Sequence, residues 1–263
     1  MTERRAAALA VWAVLLVAAT AIGQEPRRPR PEETEVWTPV PPVVDPGPAS
    51  GLVPPPSDAI VLFDGGDLRE WVGVRDRAAA AWTVHDGVVT VNKAAGNIET
   101  RRRFRNYQLH LEWRVPDGTT GSGQARGNSG VFLASTGPGD AGYELQILDS
   151  YRNETYVNGM AGSLYKQAPP LVNAARPPGA WQTYDVVWTA PVFDADGRLR
   201  SPARATVLFN GVLVQRDLPL AGPTVFIGAP RYQAHGDSPI KLQAHGDPSP
   251  PLSFRNIWVR VLP

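Results

Sequence analysis

Gly142-Tyr-Glu-Leu-Gln-Ile-Leu-Asp149 alternates apolar Tyr143, Leu145 and Ile147 with polar Glu144 and Gln146, then ends on Asp149. A period of two is the signature of a strand whose successive side chains point to opposite faces. One face here is apolar and the other presents a carboxylate and an amide. Tyr107 to Val115 repeats the design, with Tyr107, Leu109, Leu111 and Trp113 on one side and Gln108, His110, Glu112 and Arg114 on the other. Two such strands predict a sheet that closes a core and also offers a chemical surface.

The rest of the chain is punctuated in the same way. Val84–Val91 reads as a hairpin turning at Asp86-Gly87, and Ala205–Val214 as a second turning at Asn210-Gly211, because tight two-residue turns need positive φ. Ile60–Phe63, Val131–Ala134, Thr183–Trp188 and Ser253–Val261 complete the expected strands, and no helical periodicity runs through the region. Many short strands with Gly and Pro turns predict an all-β fold, a two-sheet jelly-roll sandwich. Trp82, Trp113, Trp181, Trp188 and Trp258 sit in or beside those strands, where core packing is the expected role and sugar stacking the alternative.

The 263 residues divide into three parts. Residues 1–23 read as an export signal: Arg4 and Arg5, an apolar run from Ala6 to Ala19, and small residues around Ala21-Ile-Gly23. The run is shorter than the roughly 20 residues a bilayer span requires, so no membrane span is expected. Residues 24–57 hold 11 of the 27 prolines and read as an extended, disordered linker. Residues 58–263 form one domain. An exported, periplasmic or extracellular location is therefore expected. The chain has no cysteine, so its stability rests on core burial without disulfides. A net charge of +1 gives no field that would attract nucleic acid, and the basic Arg101–Arg105 cluster reads as a solvated edge.

The groups that can do chemistry are spread along the domain. Gly127-Asn-Ser-Gly130 sets Asn128 beside a strand, and Ala161-Gly-Ser-Leu-Tyr165 precedes Lys166. Gln233-Ala-His-Gly-Asp237 recurs as Gln243-Ala-His-Gly-Asp247, pairing His235 with His245 and offering Gln243. With the carboxylates Glu112, Glu144 and Asp149 and the cation Arg255, this inventory suits acid–base work on a neutral, hydroxyl-rich substrate. A G-x-S-x-G elbow and an H-E-x-x-H zinc signature are both missing. No cofactor is evident, and a divalent metal held by oxygen ligands stays open. The sequence leaves the oligomeric state open too.

Taken in order, these motifs resemble the 3-keto-disaccharide hydrolase family. The resemblance runs through Leu62-Phe-Asp-Gly65, Trp82–Gly87, Leu111-Glu-Trp-Arg114, Gly127–Leu133, Gly142–Asp149, Gly162-Ser-Leu-Tyr165, Asn210-Gly211, Leu242-Gln-Ala-His-Gly246 and Phe254-Arg-Asn-Ile257. It departs at Asp247–Ser253, a longer link before the last strand. The resemblance implies a concanavalin A-like jelly roll with its site on the concave sheet. It also implies cleavage of glycosides oxidised to a ketone at C3, by hydrolysis or by 1,2-elimination and hydration. On that footing Glu144 or His245 is the base. Arg255, Gln146 and Asn128 surround the oxygens, and Asp149 and Glu112 act as acid or orienting groups. Tyr165, Lys166, Gln243 and His235 are further candidates for substrate contact. The competing readings are a non-catalytic carbohydrate-binding module, a glycosidase on unoxidised sugar, and a structural envelope protein.

Overall fold

The computed structural model describes residues 27–49 and 51–263. The expected export signal at 1–23 lies outside the described residues. Two antiparallel sheets face each other as a jelly-roll sandwich, the expected class. The larger has eight strands, in the order Val212–Pro219, Arg204–Phe209, Gln182–Thr189, Tyr107–Arg114, Ser253–Val261, Val88–Thr90, Thr83–His85, with Ile60–Phe63 also pairing to Ser253–Val261. The smaller has five, in the order Trp71–Gly73, Ile98–Thr100, Lys241–Leu242, Ser129–Ser135, Gly142–Ile147. Among the described residues the only helical pieces are short 3-10 turns, at Pro31–Thr34, Gly123–Ala125 and Val157–Gly159. No helix among them is long and apolar enough to cross a membrane.

Alternation decides which side chains meet between the sheets. Tyr107, Leu109, Leu111 and Trp113 from the larger sheet, with Tyr184, Val186 and Trp188 beside them, face Val131, Leu133, Tyr143, Leu145 and Ile147 from the smaller. Trp113 stacks on Phe209 with ring centroids 5.8 Å apart, so aromatic bodies supply much of the buried area. Both expected hairpins form, and their turns carry the positive φ they require: 49° at Asp86, 75° at Gly87, 53° at Asn210 and 80° at Gly211. Two tyrosines reach across the core. Tyr107 donates to the Leu133 carbonyl, and Tyr184 donates to the Gln146 carbonyl at 2.6 Å. The second bond ties the larger sheet to the strand that carries Glu144 and Gln146.

The proline-rich segment, expected to be a disordered linker, lies along the domain wherever it is described. Its prolines cannot donate, but they hold an extended backbone whose carbonyls stay free as acceptors. The domain supplies the donors. Lys166 Nζ reaches Pro31 O at 2.6 Å, Asn158 Nδ2 reaches Thr34 O at 2.9 Å, Arg176 Nε reaches Gly47 O at 3.0 Å, and Asn256 Nδ2 reaches Val53 O at 2.9 Å.

Replacing Tyr184 by Phe keeps the ring and deletes the inter-sheet donor. The expected cost is about 1 kcal/mol, the usual value of one such bond, because Gln146 O keeps the Gly162 N–H as a second partner. Urea denaturation of the two proteins measures it.

Candidate functional site

The outer face of the five-stranded sheet is built by register. Glu99 lies opposite Lys241, Lys241 opposite Phe132, and Phe132 opposite Glu144, so these four form one row across the strands. Gln146 lies opposite Gly130 in the next row. The residues between them, Val131, Leu145 and Leu242, turn into the core. Gly130 has a definite task. A Cβ there would stand 2.5 Å from Glu144 Oε1 and 3.1 Å from its Cγ, so only glycine lets the Glu144 side chain lie down across the neighbouring strand.

Above this face sits a cavity of about 390 Å³, at the low end of the range for small-molecule sites. Glu144 and Gln146 line it from the sheet, Gln243 and His245 from the segment after Lys241–Leu242, and Asn128 and Tyr165 from two loops. Six of the residues singled out from sequence therefore converge, although they lie as far apart in the chain as Asn128 and His245. Three lining residues were not foreseen: Asp140, Thr224 and Phe226. They sit on irregular loops with no periodicity to mark them, and Phe226 is 57% exposed, an unusual state for a large apolar ring. Lys241 was also missed. It is fully buried, its ammonium donating to the carbonyls of Gly137, Gly139 and Ala141 at 2.9, 2.8 and 2.9 Å, and it thereby holds the loop that presents Asp140.

Electrostatics sets the state of Glu144. Burial, reinforced by the nearby Asp140 carboxylate and only partly offset by Lys241, raises its pKa to about 8. The carboxyl is therefore largely protonated at neutral pH. Gln146 lies beside it, its amide nitrogen oriented to donate to Glu144 Oε1 at 3.1 Å and to Ser129 O at 3.2 Å. Gln243 Oε1 is buried and has no partner within the protein, so it offers an acceptor to whatever enters the cavity. Tyr165 shares a 2.6 Å bond with the Tyr156 hydroxyl, and burial raises its own pKa to about 12.

His245 is oriented from behind. Its Nδ1 lies 3.2 Å from Asp247 Oδ2 and 3.1 Å from the Asp247 amide nitrogen; the tautomer that donates Nδ1–H to the carboxylate, in place of accepting from the amide, leaves Nε2 free to accept. Burial alone would raise the Asp247 pKa. Hydrogen bonds from His245 and Ser249, with the Lys93 ammonium 3.3 Å away, instead pull it down to about 2. The longer link at Asp247–Ser253 is thus anchored: Lys93 Nζ also donates to Ser249 O at 2.8 Å.

Five candidates lie elsewhere. Glu112 and Arg255 sit on the outer face of the eight-stranded sheet, because Glu112 alternates away from Leu111 and Trp113 on a strand of the other layer. There Arg255 Nε donates to Glu112 Oε2 at 2.7 Å and its guanidinium covers the Trp181 ring at 4.1 Å. Strict alternation would send Asn256 to the opposite face. An irregular register and a φ of 49° place it beside Arg255, where it also donates to Glu112, at 2.9 Å. Burial would raise the Glu112 pKa, but bonds from His110, Asn256 and Arg255 lower it below the usual carboxylate value. Asp149 pairs with Arg126 at 2.7 Å and accepts from the Tyr151 amide, holding a loop rather than lining the cavity. His235 bonds the Tyr143 hydroxyl at 2.9 Å and lines a separate cleft of about 220 Å³, so the two copies of the Gln-Ala-His-Gly-Asp motif do not share a site. Lys166 stands beside Phe226, outside the lining. No group of three His, Asp or Glu side chains among the described residues is arranged to hold a metal.

Two expected outcomes follow from these charges. In the outer-face cluster His110 is itself buried, which would lower its pKa, yet Asp185 and Glu112 raise it to about 9. Its contribution to stability is full below its unfolded value near 6.5 and fades as pH rises toward about 9; His110→Asn flattens that slope in urea titrations between pH 6 and 10. Glu144 behaves in the opposite way. Its folded pKa lies above its unfolded one, so ionisation destabilises the fold as pH rises from about 4.5 to about 8. Glu144→Gln should therefore raise the melting temperature at pH 8, while Gly130→Ala, which crowds the same carboxyl, should lower it.

Comparison with known proteins agrees with this architecture. A crystal structure from Parabacteroides distasonis ATCC 8503, provisionally named a glycosyl hydrolase, shares 51% identity at a TM-score of 0.76, covering 88% of this chain and 96% of that one. A second from the same organism, at 20% identity and a TM-score of 0.57 over 78% of this chain and 94% of that one, shares the fold. The 3-keto-disaccharide hydrolase of Bacteroides thetaiotaomicron strain VPI-5482 is 28% identical over 241 residues, which is 77% of this chain and 78% of the relative. The pattern of the 3-keto-alpha-glucoside-1,2-lyase-like domain matches residues 58–260, and the chain belongs to that family.

Proposed function

We propose that this protein is an exported enzyme that cleaves 3-keto-glycosides by abstraction of the C2 proton and loss of the C1 substituent. Family membership and the hydrolase relative support the substrate class. The observation that carries the chemistry is a buried Glu144, its pKa raised to about 8, in one cavity with a histidine whose Nε2 has no protein partner. The charged start at Arg4 and Arg5 and the apolar run behind it support export.

A ketone at C3 acidifies the C2 hydrogen. His245, its ring held by Asp247, takes that proton through Nε2, and the electron pair moves onto the C3 oxygen as an enolate. Asn128 and Gln146, exchanging their amide hydrogen bonds to Gln124 O and Ser129 O for the substrate, stabilise that oxygen, and the unpartnered Gln243 Oε1 accepts from a sugar hydroxyl. The electrons then return to form a C1–C2 double bond as the C1–O bond breaks. Glu144 gives its proton to the departing oxygen, so the products are an unsaturated 3-ketone and an alcohol. Addition of water across the new double bond completes a net hydrolysis. This division of labour, with one group neutral and acidic and the other free to accept, follows from their surroundings.

Glu144→Gln and His245→Ala should each lower kcat/KM on a 3-keto-glucoside by about 100-fold or more. Wild-type activity should fall as pH rises through about 8, when Glu144 loses its proton. In heavy water, deuterium should enter C2 of recovered substrate or hydrated product. Cleavage without exchange would replace elimination by direct hydrolysis, and binding without any product would leave a carbohydrate-binding module.

A further inference from the structure

The family pattern begins at residue 58, yet the structure lays a segment from before that point on Asn158 and Lys166, next to Tyr165 and Phe226 of the cavity wall. Pro31 to Trp37 runs over Tyr156, Asn158 and Lys166 as a strap. Asn158, 1% exposed, holds it from both sides: Nδ2 donates to Thr34 O and Oδ1 accepts from the Val36 amide, each at 2.9 Å. The Val157 amide adds a bond to Val36 O at 2.6 Å. Trp37 meets Tyr156 edge-on at 6.2 Å, and Tyr156 hands the contact to Tyr165 in the cavity wall through their shared hydroxyl bond.

Lys166 joins the strap to the opposite bank. Its ammonium donates to Pro31 O at 2.6 Å and to Phe226 O at 3.1 Å, and lies 4.6 Å above the Phe226 ring. Phe226 itself lines the cavity. Lys166 also has a φ of 57°, a left-handed conformation that glycine or asparagine would adopt with less strain. A lysine at such a position points to work done by its side chain.

We propose that Lys166 is a positioning residue that staples the strap to the Phe226 loop across one end of the cavity, limiting the site to short glycosides of one or two sugar units. The carbohydrate class rests on the reading given under Proposed function; the length limit rests on the staple. A cavity of about 390 Å³ with the staple beside its Tyr165 and Phe226 wall matches the size of a short glycoside.

Calorimetric binding to the full chain tests this without requiring turnover, using methyl glucoside, a gluco-disaccharide and a gluco-pentasaccharide. Wild type should bind the disaccharide about 10-fold or more tighter than the pentasaccharide. Lys166→Met and Asn158→Ala should bring that ratio toward one, and trypsin should cut faster at the Arg27–Arg28 bond. Trp37→Ala, changed on a strap outside the family domain, provides the same ratio if either variant fails to fold. An unchanged ratio in the folded variants, a wild type with no length preference, or no sugar binding at all would overturn the proposal. A wild type that binds with this preference but turns over no 3-keto-glycoside would instead overturn the proposed reaction and leave the staple standing.

Discussion

A carboxyl group largely withdrawn from water is the constraint around which the site is arranged. Glu144 is 6% exposed, next to Asp140 and across a phenyl ring from the buried ammonium of Lys241. Isolated in that way, a carboxylate favours its neutral form, and the fold bears the cost of ionising it. Two features make the arrangement possible. Gly130 provides the space, and Lys241 fixes the 137–141 loop through three carbonyls.

The outer face of the other sheet gives a useful contrast. Glu112 is as deeply buried as Glu144 but lies within bonding distance of Arg255, Asn256 and His110. It stays ionised, and the cluster reads as a paired, hydrogen-bonded network, not as a reactive group. Burial alone therefore does not separate a chemical group from a structural one. What separates them here is whether partners for the charge come from the protein. Gln243 Oε1 and Nε2 of His245 lack such partners.

The proline-rich segment changes the meaning of composition. Prolines at this density exclude a ladder strand or helix interior, and that expectation is met among the described residues apart from one short 3-10 turn. Carbonyls of the segment, at Pro31, Thr34, Gly47 and Val53, nevertheless find donors on Lys166, Asn158, Arg176 and Asn256. A chain with few bonds of its own has bonded to its neighbour.

Alternation in Gly142–Asp149 and Tyr107–Val115, the Asp-Gly and Asn-Gly turns, and the ordered family motifs sufficed to name the sandwich and its two-faced strands. These are local properties, because side-chain direction in a strand depends only on parity. Parity also marked Glu144 and Glu112 alike as polar-face residues. Which sheet each strand joins, and which loops roof it, is decided by contacts far apart in sequence. That is why Glu112 and Arg255 fall on the other layer and His235 in another cleft, while Asp140, Thr224 and Phe226 enter from loops without a pattern. Short-range geometry is written residue by residue; convergence and desolvation exist only once the layers have closed.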